Sequence, residues 1–331
     1  MPTAKHNYMK PQGREAWIKE AMTKGMTRQE ADETMAAMVA NRKRNYAEAA
    51  KQRKVAKPAI EASSVAKSVT LVPSKSTVTE SLIRQLPLWH DAQRGAPNEI
   101  LRSALFNARN TKTARVMLKD EVIASIGEGV ISYRGEELRQ TDQAVWLQLI
   151  HLAQNRPVEE MIEFTPYAFC KAINWSVNGQ AYDRLRECIA RMQATGLRVY
   201  SKRLGKGVSL SMIPLFEYED PSSKQKLARW RVRLPIELIE LFGGECYTRL
   251  EWAQRLSLPN GLGSWLHSYL ATHRTPHPIL LETIKSGAGL TCQNRELRRL
   301  VEGALNDLKK CGFLKEYSIE DQTVKFVRAK L

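Results

Sequence analysis

From about Ile100 onward, the sequence shows one order of elements twice: helix, helix, tight turn, helix and β-hairpin. Apolar residues recur at intervals of three and four in the helical parts and of two in the hairpins. Each copy must therefore pack three helices against a small sheet. This repeated order limits the chain to two similar mixed α and β domains in tandem.

In the first copy, the third helix and the hairpin are marked most clearly. Thr165 followed by Pro166 is a cap and first-position pair that opens the second helix. After a turn at Asn174–Gly179, the third helix turns one apolar face inward. The hairpin follows, with its turn at 205–207 and period-two alternation that predicts one buried face. The inward residues of the third helix are Leu185, Cys188, Ile189 and Met192.

The second copy repeats this scheme. Helices are predicted around Trp265–Leu270 and Leu281–Lys285, followed by a turn at Gly287–Gly289. The third helix runs from about Gln293 to Lys310, and a hairpin follows at Phe313–Val327. Its inward residues are Leu297, Leu300 or Val301, Ala304, Leu305 and Leu308.

This order of elements is that of the winged helix. The predicted fold class is α+β, with two tandem winged-helix domains at residues 96–222 and 223–331. A chain of 331 residues has room for both and for an extension. Residues 1–95 are predicted to form this extension, which is flexible and basic.

The extension contains one helical pattern before a basic linker. Thr27 and Glu30 have capping-box spacing, and apolar residues follow at helical intervals: Ala31, Met35, Met38 and Val39. Residues 41–57 then carry seven Lys and Arg against one Glu. Such a run is typical of a solvated, disordered tail, which would also add non-specific affinity for DNA.

The balance of charge indicates a polyanionic partner. The chain has 51 Lys and Arg against 35 Asp and Glu, a formal net charge of +16, and a pI near 9.7. Nucleic acid is the first candidate and an acidic membrane surface the second.

The cysteines and the hydropathy pattern indicate a cytoplasmic protein that does not enter a membrane. The five cysteines are widely spaced and form no CxxC pair, so they are expected to be reduced thiols. The sequence shows no signal peptide and no apolar run of roughly 18 residues.

Candidate DNA-binding residues lie on the outward sides of the two third helices and on the hairpins. In the major groove, arginine can pair with guanine, and asparagine or glutamine with adenine. Basic residues of a hairpin would contact phosphates. Alternatively, these side chains only solvate exposed surfaces. The candidates are Asn178, Gln180, Arg184, Arg191, Lys202, Arg203, Lys206, Arg295, Arg298, Arg299 and Lys325.

A strand after the first hairpin alternates apolar residues with arginines. Trp230, Val232 and Leu234 are predicted to face inward, and Arg229, Arg231 and Arg233 outward. The outer face either is solvated or contacts phosphate.

Motifs for catalysis are not found. The sequence contains no GxxxxGK[ST] phosphate-binding loop. His267, His273 and His277 are spaced too loosely for the metal site of a DNA-nicking enzyme. No enzyme activity, metal or cofactor is therefore predicted.

The peptide Gln85-Leu86-Pro87-Leu88-Trp89 resembles the QLxLF motif that docks bacterial proteins onto the replicative sliding clamp. In that mode, a leucine and an aromatic ring enter an apolar groove. Gln85, Leu86, Leu88 and Trp89 are the predicted contacts, although Trp89 replaces the usual phenylalanine. The alternative is that Leu88 and Trp89 attach the linker to the first domain.

Taken together, the motifs resemble those of the TrfA family of plasmid replication initiators. The similarity extends over most of the chain from about Gln85 onward and weakens toward the C-terminus. The matching stretches are QLPLW, LRSALFNARN (Leu101–Asn110), GEELRQTDQAVWLQLI (Gly135–Ile150), NWSVNG (Asn174–Gly179) and ECIARMQATG (Glu187–Gly196).

The resemblance implies binding to directly repeated double-stranded sites at an origin and opening of a neighbouring AT-rich segment. It further implies contact with single-stranded AT-rich DNA, recruitment of host helicase, initiator and sliding clamp, and exchange between monomer and dimer. Two other functions remain open: a winged-helix transcriptional repressor and a DNA-nicking enzyme.

Overall fold

The computed structural model describes residues 18–19, 22–23, 26–33, 36, 85–127, 129–201, 205–219, 226–243, 246–275 and 277–329. The chain divides into two compact units, Met1–Val78 and Thr79–Leu331.

In the first unit, the predicted capping box is confirmed. The backbone N–H of Thr27 donates to Oε2 of Glu30 at 3.0 Å, and the N–H of Glu30 donates to Oγ1 of Thr27 at 3.4 Å. Met35, Met38 and Val39 of the predicted helix, and the basic linker at 41–57, lie outside the described residues.

The second unit is a mixed α and β structure, which confirms the predicted class. Its helices are α1 (Asn98–Leu101), α2 (Gln140–Ala153), α3 (Pro166–Ala172), α4 (Gly179–Gln193), α5 (Leu238–Phe242), α6 (Trp252–Ser257), α7 (Leu262–Ala271), α8 (Leu281–Gly287) and α9 (Asn294–Lys310). Its strands are β1 (Gln93–Pro97), β2 (Phe106–Asn107), β3 (Met117–Ile123), β4 (Val130–Glu136), β5 (Leu138–Arg139), β6 (Ile162–Phe164), β7 (Gly196–Ser201), β8 (Lys206–Leu210), β9 (Leu215–Glu219), β10 (Lys226–Arg233), β11 (Tyr247–Glu251), β12 (Ile279–Leu280), β13 (Leu314–Glu320) and β14 (Thr323–Arg328).

Helices α2, α3 and α4 and the β7–β8 hairpin form the first copy of the predicted order. Thr165 caps α3 as predicted, since its Oγ1 accepts the N–H of Ala168 at 3.2 Å. The hairpin belongs to a four-stranded sheet of order β3-β4-β7-β8, whose first two strands were not predicted. The four predicted inward residues of α4 are buried. Helix α4 therefore lies on the body through one apolar face and presents its other face outward.

Helices α7, α8 and α9 and the β13–β14 hairpin form the second copy. Strand β12 joins the hairpin to make a three-stranded sheet of order β12-β14-β13. Helix α9 buries Leu297, Val301, Ala304, Leu305 and Leu308, whereas Leu300 is only half-buried. Of the two alternatives in the sequence pattern, Val301 is the core residue.

The second unit has two apolar cores, and the parts of the chain packed around them are called the first lobe and the second lobe. The two cores divide near residue 255 rather than at 222/223. Strand β10 pairs antiparallel with both β6 and β9, so it belongs to the first core. The first core continues to Trp252, and the C-terminal part of the second begins at Leu258. The predicted boundary falls in the connection between the paired strands β9 and β10.

The N-terminal boundary at residue 95 also differs from the structure. Strand β1 pairs with β11, with Gln93 opposite Glu251 and Pro97 opposite Tyr247. Leu86 and Trp89 are part of the first core. The folded body therefore includes residues that the sequence pattern assigned to the extension.

In the part of the chain that the structure describes, no helix is long and apolar enough to cross a membrane.

Candidate nucleic-acid interface

The N-terminal half of α4 is the most exposed part of that helix. Asn178 is the N-cap, and its Oδ1 accepts the N–H of Ala181 at 2.9 Å. The side chain of Asn178 is therefore engaged as the helix cap. Gln180, Asp183 and Arg184 are exposed on the first turns of the helix. The turn before the helix has Asn174 at φ +55°, a left-handed conformation that asparagine tolerates better than most residues.

Arg184 is oriented by an aromatic ring. Its guanidinium lies over the indole of Trp175, 4.3 Å from the ring centroid, and Nη2 is 3.5 Å from Oγ1 of Thr141. Trp175, Asn178, Gln180 and Arg184 line an open concavity of about 340 Å³, which is mostly polar. A guanidinium held in this way retains free N–H donors for a base edge or a phosphate.

Arg191 does not lie on the outward side of α4, and that prediction is wrong. Its side chain is 11 % exposed, Nη1 lies 2.6 Å from Oδ1 of Asp142, and Nε lies 3.1 Å from Oε2 of Glu136. Burial alone lowers the pKa of Arg191, but the carboxylates of Asp142 and Glu136 raise it above its ordinary value. Arg191 therefore anchors the helix and is not free to read bases.

The β7–β8 hairpin carries one described basic candidate. Lys206 is exposed, and its Nζ lies 2.9 Å from Oε2 of Glu240. This surface ion pair is weak enough to exchange for a phosphate. Lys202 and Arg203 lie outside the described residues.

Helix α9 exposes Arg295 and Arg299 in its first two turns. Arg298 is exposed too, but its guanidinium donates to the backbone carbonyls of Asp321 at 2.8 Å and Ile319 at 3.2 Å. Arg298 thus ties α9 to the turn of the β13–β14 hairpin. Lys325 on that hairpin pairs with the carboxylate of Glu320.

The alternation of β10 is confirmed, but its outer face is not purely cationic. Trp230, Val232 and Leu234 are buried, whereas the arginines face outward. Arg231 lies 2.7 Å from Oε1 of Glu163 and 3.5 Å from Oε2 of Glu217. Arg229 and Arg233 are exposed beside it.

The clamp-like peptide is built into the first core. Leu86 is 2 % exposed and Trp89 is 7 % exposed. The indole of Trp89 stacks on Phe242 at 6.0 Å between centroids, and its Nε1 donates to Nδ1 of His151 at 3.2 Å. Of the two leucines predicted to contact the clamp, Leu88 is exposed and Leu86 is not.

This packing corrects the prediction that Leu86 and Trp89 are available to a groove on another protein. Nε2 of Gln85 is also engaged, since it donates to the carbonyl of Gln154 at 2.7 Å. The alternative interpretation was that Leu88 and Trp89 attach the linker to the first domain. Trp89 does so, because it belongs to the first core, whereas Leu88 is exposed.

A buried ionic cluster behind α4 was not predicted from the sequence. Asp142 is fully buried at the start of α2 and accepts the N–H of Arg139 at 2.8 Å. Its carboxylate also pairs with Arg115 at 2.9 Å. Glu137, equally buried, pairs with Arg109 at 3.1 Å and with Arg139. Charged residues scattered along the sequence gave no local signal of this cluster.

The histidines of the second copy lie in two different environments. His267 is buried against Phe313, and burial lowers its pKa to about 3, aided by Arg255 and Arg328. The rings of His273 and His277 lie 4.4 Å apart. Within the described ranges, no group of three His, Cys, Asp or Glu side chains could hold a metal ion.

Comparison with solved structures gives two similarities. A crystal structure of domain 2 and domain 3 of RctB, as selenomethionine derivatives, aligns with a TM-score of 0.50 and 14% identity, over 71% of this chain and 99% of that one. A crystal structure of the Pi initiator protein in complex with iteron DNA aligns with a TM-score of 0.43 and 12% identity, over 62% of this chain and all of that one. The first similarity shows that this mixed α and β fold is shared with RctB domains 2 and 3.

Sequence similarity then defines the family. The family model described as "TrfA protein" matches residues 51–328. The plasmid replication initiator protein TrfA of Escherichia coli is 34% identical over 239 residues, which is 71% of this chain and 62% of the relative. This chain therefore belongs to the TrfA family, and it spans about 62% of the length of that relative.

Proposed function

We propose that this chain initiates plasmid replication by binding directly repeated sites at an origin, through two winged-helix domains. The observation that carries the proposal is the matched exposure of α4 and α9, each beside a hairpin, in a chain of net charge +16. The element order of each lobe and the membership of the TrfA family support it.

The two helices are suited to read bases. Gln180 and Arg184 on α4, and Arg295 and Arg299 on α9, carry the donors and acceptors that pair with adenine and guanine edges. Helix α4 also exposes Asp183 and Glu187, which would repel a phosphate but can accept from cytosine. This mixture of charge favours insertion into a groove over general attraction to the backbone.

The hairpins and the β10 face would supply phosphate contacts. Lys206 and Lys325 are on hairpins and pair with the surface carboxylates of Glu240 and Glu320. Arg229 and Arg233 form a second basic surface, to which we assign single-stranded AT-rich DNA after the origin opens. Binding several adjacent copies would strain the flexible AT-rich steps and favour their melting.

Recruitment of the host helicase completes the proposal. Recruitment of the sliding clamp through residues 85–89 is not part of it, because Leu86 and Trp89 belong to the first core.

The test is footprinting on DNA from the chain's own replicon, at one near-physiological salt concentration, with permanganate probing of unpaired thymines. We expect regularly spaced protection with reactive thymines in an adjacent AT-rich segment. Protection of a single promoter palindrome without reactive thymines would instead identify a repressor. A metal-dependent strand break would identify a nicking enzyme.

A further inference from the structure

We infer that a continuous series of ion pairs and hydrogen bonds, buried at Asp142 and Glu137 and half-buried beyond them, holds α4 and α9 at one spacing and angle, so that the chain selects DNA by the distance between two half-sites. This inference rests on the proposed function, since it concerns how the two helices would be presented to one repeat. The contacts run from the C-terminal half of α4 to the turn before α9.

The first part of the series fixes α4 on α2. Arg191 leaves the last turns of α4 and pairs with Asp142 at 2.6 Å. Asp142 is completely buried and also accepts from the backbone of Arg139 and from Arg115. A fully buried carboxylate between two guanidinium groups leaves little freedom to any of the three, because movement of either arginine would leave the buried charge of Asp142 less well compensated.

The second part crosses to the other lobe. Arg115 donates from Nη1 to the carbonyl of Glu137 at 2.6 Å, and the Glu137 carboxylate lies 3.1 Å from Nη1 of Arg109. Nε of Arg109 donates to the carbonyl of Gly289 at 2.9 Å. Gly289 is in the turn that joins α8 to α9. One guanidinium therefore contacts both the cluster behind α4 and the backbone just before α9.

Parallel contacts stiffen this crossing. The N–H of Ala108 donates to the carbonyl of Ala288 at 2.8 Å. Arg102 donates to both Oγ1 and the carbonyl of Thr272 at 2.8 Å, at the end of α7. The indole Nε1 of Trp265 donates to the carbonyl of Ser103 at 3.1 Å. These bonds come from one short segment, residues 102–109, which therefore acts as a rigid connector.

A rigid connector has a measurable consequence on DNA. Each inserted base pair rotates the distal half-site by roughly 35° and moves it by about 3.4 Å along the axis. A flexible linker between the lobes would absorb this displacement. A connector held by several ion pairs and hydrogen bonds would instead lose the contacts of one helix.

The test compares binding affinities for two kinds of duplex. One contains the repeat that the wild-type chain protects in footprinting, and the others have one or two base pairs inserted between the two segments of that repeat that are protected. We expect one inserted base pair to weaken wild-type binding on the order of tenfold, as a mismatched base pair does. We expect the double variant Arg102→Ala and Arg109→Ala to lose about threefold or less on the same insertion. Its affinity for the unaltered repeat should change much less than its selectivity for spacing.

Two further variants separate positioning from stability. Arg109→Lys keeps a charge beside Glu137 but cannot contact Glu137 and Gly289 with one planar fork, so it should tolerate the insertion better than the wild type. Arg134→Ala is the matched control, because Arg134 pairs with Asp120 within the β3–β4 hairpin and, among the residues that the structure describes, forms no ion pair or hydrogen bond with the second lobe. Thermal melting of each variant shows that it is folded at the binding temperature.

The inference is overturned if the wild type binds the lengthened duplex as tightly as the repeat, or if the Arg102 and Arg109 variants retain the full wild-type penalty. Absence of any repeated protection on replicon DNA would refute the proposed function itself. The two failures are distinct, since the first two outcomes require a bound repeat.

Discussion

Nη1 of Arg191 lies 2.6 Å from Oδ1 of Asp142, a carboxylate with no exposed surface. The pair joins the end of α4 to the beginning of α2, where the carboxylate of Asp142 also accepts the N–H of Arg139, the N-cap residue of α2. The same side chain thus caps one helix and anchors another. Loss of its charge should disturb both.

Replacement of Asp142 with Asn is expected to lower the free energy of unfolding by about 3–5 kcal/mol, because Arg115 and Arg191 would lose the buried carboxylate between them and keep only the half-exposed carboxylate of Glu136. Urea denaturation measures this change. Asp120→Asn is the control, since Asp120 pairs with Arg134 at the surface and should contribute less than about 1 kcal/mol. Equal effects of the two substitutions would contradict the account of the cluster.

Trp89 and Leu88 should differ sharply in their contribution to stability. Trp89→Ala removes a buried ring that packs on Phe242 and Tyr247, and should cost about 3–5 kcal/mol of unfolding free energy. Leu88, which is 63% exposed, should change stability by no more than about 0.5 kcal/mol when replaced with Ala. A Trp89→Ala variant with wild-type stability would show that the peptide is free to dock elsewhere.

The sequence predicted the elements whose signals are local. The inward faces of α4 and α9 followed from intervals of three and four, and the β7–β8 and β13–β14 hairpins from period two. The start of α3 followed from Thr165 and Pro166. In each case, the interactions that form the element join residues that are close together in the sequence.

Features that depend on distant partners were not predicted. Gln93 pairs with Glu251, which is 158 positions away in the sequence. The residues around β1 therefore gave no indication that this strand pairs with β11. Arg255 is almost fully buried against the side chain of Gln140, in a position where an arginine is expected to face solvent. Arg191 was misplaced because helical periodicity identifies a face, and not the carboxylate that lies behind it.

Stability should fall in mild acid because of His267. Burial lowers the pKa of His267 to about 3, against about 6.5 when unfolded. The unfolded chain therefore binds the proton first, and this histidine's contribution is lost as the pH falls from 6.5 toward 3. Between pH 7 and pH 5 the loss is about 2 kcal/mol.

In the His267→Leu variant, the fall in the free energy of unfolding between pH 7 and pH 5 should be smaller than in the wild type by about 2 kcal/mol. Urea denaturation at the two pH values measures it. The exposed His90, replaced with Gln, is the control. An unchanged slope in the His267 variant would contradict the burial of a neutral imidazole.

Gly289 and Gly303 should respond to alanine with opposite signs. Gly289 has φ +66°, and an added Cβ would lie 2.9 Å from Cβ of Asn107, so Gly289→Ala should destabilise by roughly 1–2 kcal/mol or more. Gly303 lies exposed within α9, where an added Cβ meets no atom, so Gly303→Ala should stabilise by about 0.5–1 kcal/mol. Thermal unfolding of both variants checks the pair, and destabilisation by Gly303→Ala would contradict the placement of α9.

If α4 and α9 each read part of one repeat, hydroxyl-radical footprinting of one repeat with two double variants should separate their contacts. We predict that Gln180→Ala with Arg184→Ala weakens one block of protection, and that Arg295→Ala with Arg299→Ala weakens the other. Loss of the same block in both variants, or full protection in either, would contradict the claim.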